Sequence, residues 1–222
     1  MHAPEKYAIF GGSFNPVQKA HVEIVKEIIK KFNIEKIFIV PAYEPPHKAD
    51  VSLLSFRYRF KLLRAAFLEL IKSGKVKLSI IEKKLPAPSY TVNTMKKFLT
   101  CFPETEFSLI IGYDMYMTFD KWRDSEFLAE NFHFIVAERE EQKKPGASLE
   151  FKKGVSSLDH KHADVSSTGA RELLAEYYKA VDKKSGVKAD EILSELKKII
   201  PEEALYYILE KKLYFNYGHR EH

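Results

Sequence analysis

The chain has 222 residues, of which 45% are hydrophobic and 30% are charged, and its formal net charge at pH 7 is +5. No run approaches the roughly 18 consecutive apolar residues that a membrane-spanning helix requires. The single cysteine, Cys101, excludes both an intramolecular disulfide and a zinc site built of several thiolates. The basic residues are scattered among acidic ones, which argues against a nucleic-acid-binding stripe.

Short apolar runs alternate along the chain with longer stretches of helical period. The short runs predict strands at residues 7–10, 36–40, 76–81, 107–111 and 133–137. Apolar residues at three- and four-residue spacing predict the helices between them, including one over residues 56–71. This alternation is typical of βαβ units, so we predict an α/β fold, doubly wound around a mainly parallel sheet.

The chain becomes more polar after the last of these strands. Residues 140–154 predict a surface loop, and residues 181–188 predict a polar connector. Residues 166–179, 189–199 and 202–214 predict helices, which would form a C-terminal helical tail. We therefore expect residues 1–165 to form an α/β core and residues 166–222 to form the C-terminal helical part of the same domain.

Two adjacent glycines, Gly11 and Gly12, follow the first predicted strand, and a helix is expected to begin near His21. Glycines let backbone N–H groups approach an anion closely, and a helix N-terminus offers unpaired donors and the positive end of a dipole. This layout suits phosphate, so a nucleotide is the expected ligand of the 1–165 core. The alternative is a plain turn after a buried strand, with no ligand.

Further candidates follow other predicted strands, as expected for a sheet whose ligands bind beyond the carboxyl ends of its strands. Prolines in the segment 41–48 fix φ and so restrict the conformations open to His47 and Lys48. Asp114 could accept hydrogen bonds from the hydroxyls of a ribose, or else cap a helix. Near residue 166, a run of hydroxyl side chains could cap a helix, with Arg171 free to bind phosphate or to lie on the surface.

The segment from Gly11 to His21 resembles the signature of the nucleotidyltransferase superfamily, Gly-Gly-(Ser/Thr)-Phe-Asp-Pro-x-His-x-Gly-His. In that superfamily the paired histidines contact the phosphates of ATP. The chain keeps the signature at Gly11, Gly12, Ser13, Phe14, Pro16 and His21. It departs from the signature with Asn15 for Asp, Gln18 for the first His and Ala20 for Gly.

Other motifs resemble one branch of this superfamily, the nicotinate mononucleotide adenylyltransferases. They are Pro45-Pro46-His47-Lys48, Ser89-Tyr90-Thr91-Val92-Asn93-Thr94, Gly112-Tyr113-Asp114 with the later Trp122, Ser166-Ser167-Thr168-Gly169-Ala170-Arg171, and a closing run from Pro201 to Leu213-Tyr214. The resemblance implies a Rossmann-like nucleotidyltransferase fold. It also implies adenylyl transfer from ATP to nicotinate mononucleotide, which gives deamido-NAD and pyrophosphate in NAD biosynthesis.

The resemblance also implies roles for individual residues. The expected catalytic residues are His21, Lys48 and Arg171. The expected ATP-binding residues are Gly11, Gly12, Ser13, Phe14, Gln18, His21, Ser166, Ser167, Thr168 and Arg171. The expected mononucleotide-binding residues are Asn15, His47, Thr91, Gly112, Asp114 and Trp122, although a lone tryptophan also suits a core. Mg²⁺ is expected to arrive with ATP, and no residue is assigned as a metal ligand.

Two alternatives to this function remain open. One is an adenylyltransferase with another phosphorylated acceptor, nicotinamide mononucleotide included, because the sequence does not decide between acid and amide. The other is a nucleotide-binding or sensing module impaired at Gln18 and Ala20. The expected partners are ATP and a pyridine mononucleotide, without nucleic acid or membrane, and the oligomeric state is left open, a homo-oligomer included. The first residues show no signal-peptide pattern, which leads us to expect a cytoplasmic protein.

Overall fold

A computed structural model describes residues 4–45, 53–139, 154–160 and 166–217. These residues form two compact units. The first unit contains residues 4–12, 23–45, 69–139 and 154–160, and the second contains residues 13–22, 53–68 and 166–217. The predicted division of the chain after residue 165 stays a prediction. His47, Lys48 and nearly all of the predicted loop 140–154 lie outside the described residues.

The first unit is built on a six-stranded parallel sheet. Its strands are β1 (Lys6–Gly12), β2 (Lys36–Pro41), β3 (Val76–Leu78), β4 (Glu106–Gly112), β5 (His133–Arg139) and β6 (Val155–His160). They lie in the order β3-β2-β1-β4-β5-β6, so the order reverses between β1 and β4. The predicted doubly wound α/β fold is therefore confirmed.

The central strands are apolar on both faces because both faces of the sheet are covered. Residues 7–10 of β1, for example, are all buried. On one face, side chains from β1, β2, β4 and β5 join a continuous aromatic and aliphatic cluster. In this cluster the rings of Phe38 and Phe98 lie with their centroids 5.0 Å apart. This packing covers one face of the sheet.

The helices are α1 (Lys19–Lys31), α2 (Phe56–Ala66), α3 (Leu68–Lys72), α4 (Thr91–Cys101), α5 (Tyr113–Tyr116), α6 (Ser125–Asn131), α7 (Ser167–Asp182), α8 (Gly186–Ile199) and α9 (Glu202–Glu210). Short 3₁₀ helices cover Ile81–Lys84 and Phe119–Lys121. No helix of the described ranges has the length and hydropathy that crossing a bilayer requires.

In the second unit, α2 packs against α9, and α7 packs against α8. The hydroxyl of Tyr178 on α7 lies 3.1 Å from the backbone oxygens of both Ile208 and Leu213, which anchors the end of α9 and the turn that follows it. The predicted C-terminal helical tail is therefore confirmed. Its last helix ends at Glu210, before the predicted residue 214, and α8 begins at Gly186 within the predicted connector.

Several predicted elements differ from the structure for identifiable reasons. The predicted helix 56–71 is broken at Phe67, which is buried at the break between α2 and α3. The predicted strand 76–81 ends at Leu78, and the 3₁₀ helix that follows buries a carboxylate, Glu82. Strand β6 was not predicted because its sequence is largely polar. It pairs in parallel with β5 through its backbone.

The two glycines of the first motif also differ from expectation. Both lie within β1, and the expected turn comes later, at Asn15 and Pro16. Neither Gly11 nor Gly12 has a positive φ. Their role is therefore not to turn the chain.

His133 is expected to make the free energy of unfolding depend on pH. Its Nε2 atom lies 2.9 Å from the Ser156 hydroxyl, and burial, aided by the charge of Lys6, lowers the pKa of His133 below its usual value. The unfolded chain therefore binds a proton at higher pH than the folded chain, and the free energy of unfolding should fall as pH drops below about 6.5.

The measurement is the urea midpoint of the wild type and of His133→Asn at several pH values on either side of about 6.5. We expect the wild type to lose more of its midpoint on acidification than the variant does, because the variant lacks the titrating ring. Equal losses in the two proteins would contradict this role of His133.

Candidate functional site

The described residues of the predicted site are distributed over both compact units. The first unit holds Gly11, Gly12, Thr91, Gly112, Asp114 and Trp122. The second unit holds Ser13, Phe14, Asn15, Gln18, His21, Ser166, Ser167, Thr168 and Arg171.

In the first unit, glycines mark the ends of the two strands between which the strand order reverses. Gly11 is the last residue but one of β1, and Gly112 is the last residue of β4. A Cβ atom added at either glycine would meet no other atom within 4 Å, and neither glycine has a positive φ. The described chain therefore does not itself require glycine here. Open space above bare backbone is what a closely approaching ligand needs.

Asp114 lies in the first turn of α5, just after Gly112, and is exposed. Gly112 occupies the N-cap position of this helix, so the alternative of Asp114 as the cap is not supported. Thr91 begins α4 and is half-buried. Trp122 is also half-buried, and its ring centroid lies 5.5 Å from that of Phe119 in the core cluster. Trp122 thus contributes to the core while part of its surface stays exposed.

Glu82 is a buried carboxylate that was not predicted. Its Oε1 accepts a hydrogen bond from the Thr94 hydroxyl, and its Oε2 accepts one from the Tyr43 N–H, both at 3.0 Å. Glu44, which follows Tyr43, donates its backbone N–H to the Ser89 hydroxyl, and its backbone oxygen accepts a hydrogen bond from the Ser89 N–H. These bonds fix the described part of the proline-rich segment. The sequence signal was a lone carboxylate directly after two isoleucines.

In the second unit, Asn15 is buried, and both its side-chain oxygen and its backbone oxygen accept hydrogen bonds. Its side-chain Oδ1 accepts from the Tyr214 hydroxyl at 2.8 Å and from the Leu54 N–H at 3.2 Å. Its backbone oxygen accepts from Nη1 of Arg171 at 2.7 Å. Burial raises the pKa of Tyr214 against the opposing charges of Arg171 and Arg59, which keeps its hydroxyl a donor. Asn15 thereby holds its own loop in place.

Arg59 is a further functional candidate that was not predicted. It is fully buried on α2, and its Nε and Nη1 donate to the backbone oxygens of Leu54 and Ser13, each at 2.8 Å. In a trans peptide the N–H points opposite to the carbonyl, so this bond also orients the N–H of Phe14 away from Arg59. Arg59 lies in the apolar stripe of α2, and a cation at such a position can be recognised in the sequence as a candidate buried charge.

Phe14 carries a strained backbone between the two carbonyl groups that the arginines bind. Its φ is 46°, a left-handed conformation that a bulky residue adopts only when its surroundings enforce it. The side chain is buried, and its ring lies edge-on to that of His21, with the centroids 5.2 Å apart. The peptide bond between Asn15 and Pro16 is cis.

His21 lies in the first turn of α1, which begins at Lys19 as expected for a helix start near this histidine. Its Nδ1 accepts a hydrogen bond of 2.9 Å from the backbone N–H of Gln18. The neutral ring therefore carries its proton on Nε2. The bond that orients His21 comes from the backbone of Gln18, so it does not require a histidine side chain at position 18.

The N-terminus of α7 is capped as predicted, because the Ser166 hydroxyl accepts the N–H of Gly169 at 3.1 Å. Arg171, one turn later, is 4% exposed, so the alternative of a surface arginine is wrong. Its Nη2 donates to the hydroxyls of Thr168 and Tyr217, each at 3.0 Å. The ring of Tyr217 lies 4.8 Å from the guanidinium carbon.

The hydrogen-bond partners of Arg171 are neutral oxygens, and its Nε is buried without a partner in the part of the chain that the structure describes. A buried donor left unpaired costs about 1–3 kcal/mol. A cation with neutral neighbours and a remaining donor is well suited to bind an anion, such as a phosphate oxygen.

The chain resembles known proteins over most of its length. Residues 9–173 match the family model described as cytidylyltransferase-like. A relative from Endomicrobium trichonymphae, named probable nicotinate-nucleotide adenylyltransferase, is 32% identical over 78% of this chain and 88% of its own length. A relative of the same name from Clostridium botulinum (strain Okra) is 29% identical over 76% of this chain and 87% of its own.

A solved structure supports the same fold. The Plasmodium falciparum nicotinic acid mononucleotide adenylyltransferase, complexed with NaAD, is 22% identical and has a TM-score of 0.73. The match covers 95% of this chain and 97% of that chain. The fold predicted from the resemblance is thereby confirmed. The chain belongs to the cytidylyltransferase-like family, and within it to the nicotinate-nucleotide adenylyltransferases.

Proposed function

We propose that this protein transfers the adenylyl group of ATP to the 5′-phosphate of nicotinate mononucleotide, giving deamido-NAD and pyrophosphate. The observation that carries the proposal is its membership of the family, supported by a relative matched over 88% of that relative's length. The open backbone at Gly11 and Gly112 and the buried cation of Arg171 add support from the chain's own chemistry. We place the reaction in the cytoplasm, and the proposed partners are the two nucleotides.

The reaction needs no nucleophile or general base from the protein. A phosphate monoester loses its second proton near pH 6, at about the pKa that phosphorylated side chains show. The attacking oxygen is therefore already ionised at neutral pH. Catalysis then consists of aligning two anions and stabilising the charge that develops on the transferred and leaving phosphates. Positioned donors, rather than acids, are what this task requires.

In our proposal, His21, Lys48 and Arg171 supply this stabilisation. His21, whose Nδ1 accepts the Gln18 N–H, contributes the proton that its neutral ring carries on Nε2. Arg171 offers its buried Nε. The remaining ATP contacts fall to Gly11, Gly12, Ser13, Phe14, Gln18, Ser166, Ser167 and Thr168.

The mononucleotide contacts fall to His47, Thr91, Gly112, Asp114 and Trp122. Asp114 is exposed next to Gly112 and suits the hydroxyls of a ribose. Asn15 is assigned a supporting part as well, because its Oδ1 already accepts two hydrogen bonds from the protein. It shapes the loop from which neighbouring groups would contact the substrate.

Mg²⁺ is proposed to arrive as its complex with ATP. In the ranges that the structure describes, no group of three or more His, Cys, Asp or Glu side chains is placed to hold a metal ion. Mg²⁺ is commonly held by substrate phosphates, and an ion bound there would offset negative charge on them.

The direct test is turnover of purified protein with Mg·ATP and nicotinate mononucleotide. We expect one pyrophosphate and one deamido-NAD per reaction, with nicotinate mononucleotide used faster than nicotinamide mononucleotide. Chromatography of the dinucleotide and a coupled pyrophosphate assay measure both products. Reactions without acceptor give the background, and faster use of a different phosphorylated acceptor would contradict the proposed substrate.

Gly11→Ala should separate ligand binding from folding. The added Cβ meets no protein atom within 4 Å, so the urea midpoint should not fall. Overpacking against a phosphate typically costs about 1–3 kcal/mol, so KM for ATP should rise roughly fivefold to a hundredfold.

Gly186→Ala is the matched control, because its Cβ also meets no atom within 4 Å and it begins α8. Gly186→Ala should leave KM for ATP unchanged and should not lower the urea midpoint. If Gly11→Ala binds ATP as the wild type does, Gly11 has no part in binding the nucleotide.

Gln18→His tests the departure from the family signature. The wild type should be active, because the Gln18 backbone already orients His21. A charged donor exceeds a neutral one by about 1 kcal/mol, so the variant should gain about fivefold in kcat/KM for ATP. A wild type that binds ATP without turnover, together with an active variant, would instead support the nucleotide-binding module.

A further inference from the structure

The chain does not stop at the end of α9, and residues 211–217 form a C-terminal turn that returns toward the first turn of α7 and the Asn15 loop. Lys212 and Tyr214 have φ values of 48° and 67°, so two left-handed residues reverse the chain here. The turn presents two tyrosines within the second unit. Tyr214 donates to Asn15, and Tyr217 contacts Arg171.

Tyr217 contacts the Arg171 guanidinium in two different ways. Its hydroxyl oxygen accepts a hydrogen bond from Nη2 at 3.0 Å, and its ring lies 4.8 Å from the guanidinium carbon. An acceptor and an aromatic face on the same cation restrict both the position and the plane of the guanidinium. Tyr217 lies three residues beyond the closing motif that ends at Tyr214, so no motif assigns it a role.

Three hydrogen bonds occupy three of the five N–H donors of Arg171, which leaves one donor on Nη1 and the one on Nε. Nη1 is bound by the Asn15 carbonyl, and Nη2 by the hydroxyls of Thr168 and Tyr217. Nε is the buried nitrogen that has no partner among the described residues. If the guanidinium rotated, different N–H donors would lack partners, and the positions from which they could bind an anion would change.

We propose that Tyr217 is a positioning residue for ATP binding: it holds the Arg171 guanidinium in the orientation in which its remaining donors bind the phosphate of the nucleotide. This inference rests on the proposed phosphate-binding role of Arg171, and not on the identity of the acceptor. It makes the C-terminal turn a supporting part of the nucleotide site.

The first measurement compares Tyr217→Phe, which keeps the ring, with Tyr217→Ala, which removes both contacts. The dissociation constant of a non-hydrolysable ATP analogue, measured by titration calorimetry, should rise about threefold to tenfold in the first variant and further in the second. KM for the mononucleotide should change less than twofold. Tyr206→Ala, which removes a tyrosine that is 71% exposed on α9, is the matched control and should leave both values unchanged.

The second measurement is a double-mutant cycle with Arg171→Lys. If Tyr217 acts through Arg171, the Phe substitution should have little further effect on ATP binding once the guanidinium is gone. A merely structural tyrosine would lower the melting temperature and weaken both ligands equally, in either background. Tyr217→Phe keeps the ring packing, so the test survives if Tyr217→Ala fails to fold.

Three results obtained with the variants would overturn the inference. They are unchanged analogue binding in Tyr217→Phe, additive effects in the cycle, and tighter binding in Tyr217→Phe, which would show that the hydroxyl competes with the phosphate. A wild type that does not bind the analogue would also overturn it. A wild type that binds the analogue with the expected coupling, yet does not adenylate nicotinate mononucleotide, would overturn only the proposed acceptor.

Discussion

The loop of residues 13–16 is held by its carbonyl groups, and much of the second unit is organised around that constraint. Two buried arginines, Arg59 and Arg171, bind the backbone oxygens of Ser13 and Asn15. Between them Phe14 adopts a left-handed backbone that would otherwise be unfavourable. A loop whose carbonyls are tied to cations can direct N–H groups elsewhere, which is the requirement for binding an anion through backbone.

The chemistry of nucleotidyl transfer explains why such a loop is built from neutral and cationic groups. Both substrates are anions, and the reaction moves negative charge between phosphates without a proton that the protein must remove. Arg171 has neutral oxygen partners, so its charge is not cancelled within its own hydrogen bonds. In the first unit, the bare backbone at the ends of β1 and β4 contributes space rather than charge.

The fold class and one local feature of the candidate site could be predicted from the sequence. Periodicity gave the alternation of strands and helices, and the cap at Ser166 followed from short-range chemistry. The missed features depend on partners far away in the chain. Tyr214 and Asn15 are 199 residues apart, so no local pattern could pair them. Arg59 left a signal in the apolar stripe of α2, but its acceptors are backbone oxygens, which no sequence pattern identifies. Strand β6 was missed because a polar edge strand has no apolar run.

The raised pKa of Tyr214 has a consequence for how the protein responds to alkali. The hydrogen bonds described above for the 13–16 loop join its amide oxygens to a phenol that keeps its proton, to a backbone N–H and to two guanidinium ions. These hydrogen bonds therefore keep their protonation over the range in which phosphate esters change their own charge. An acid limb in the activity would then point to the nucleotides or to His21, whose ring packs on Phe14, rather than to the bonds that hold the loop.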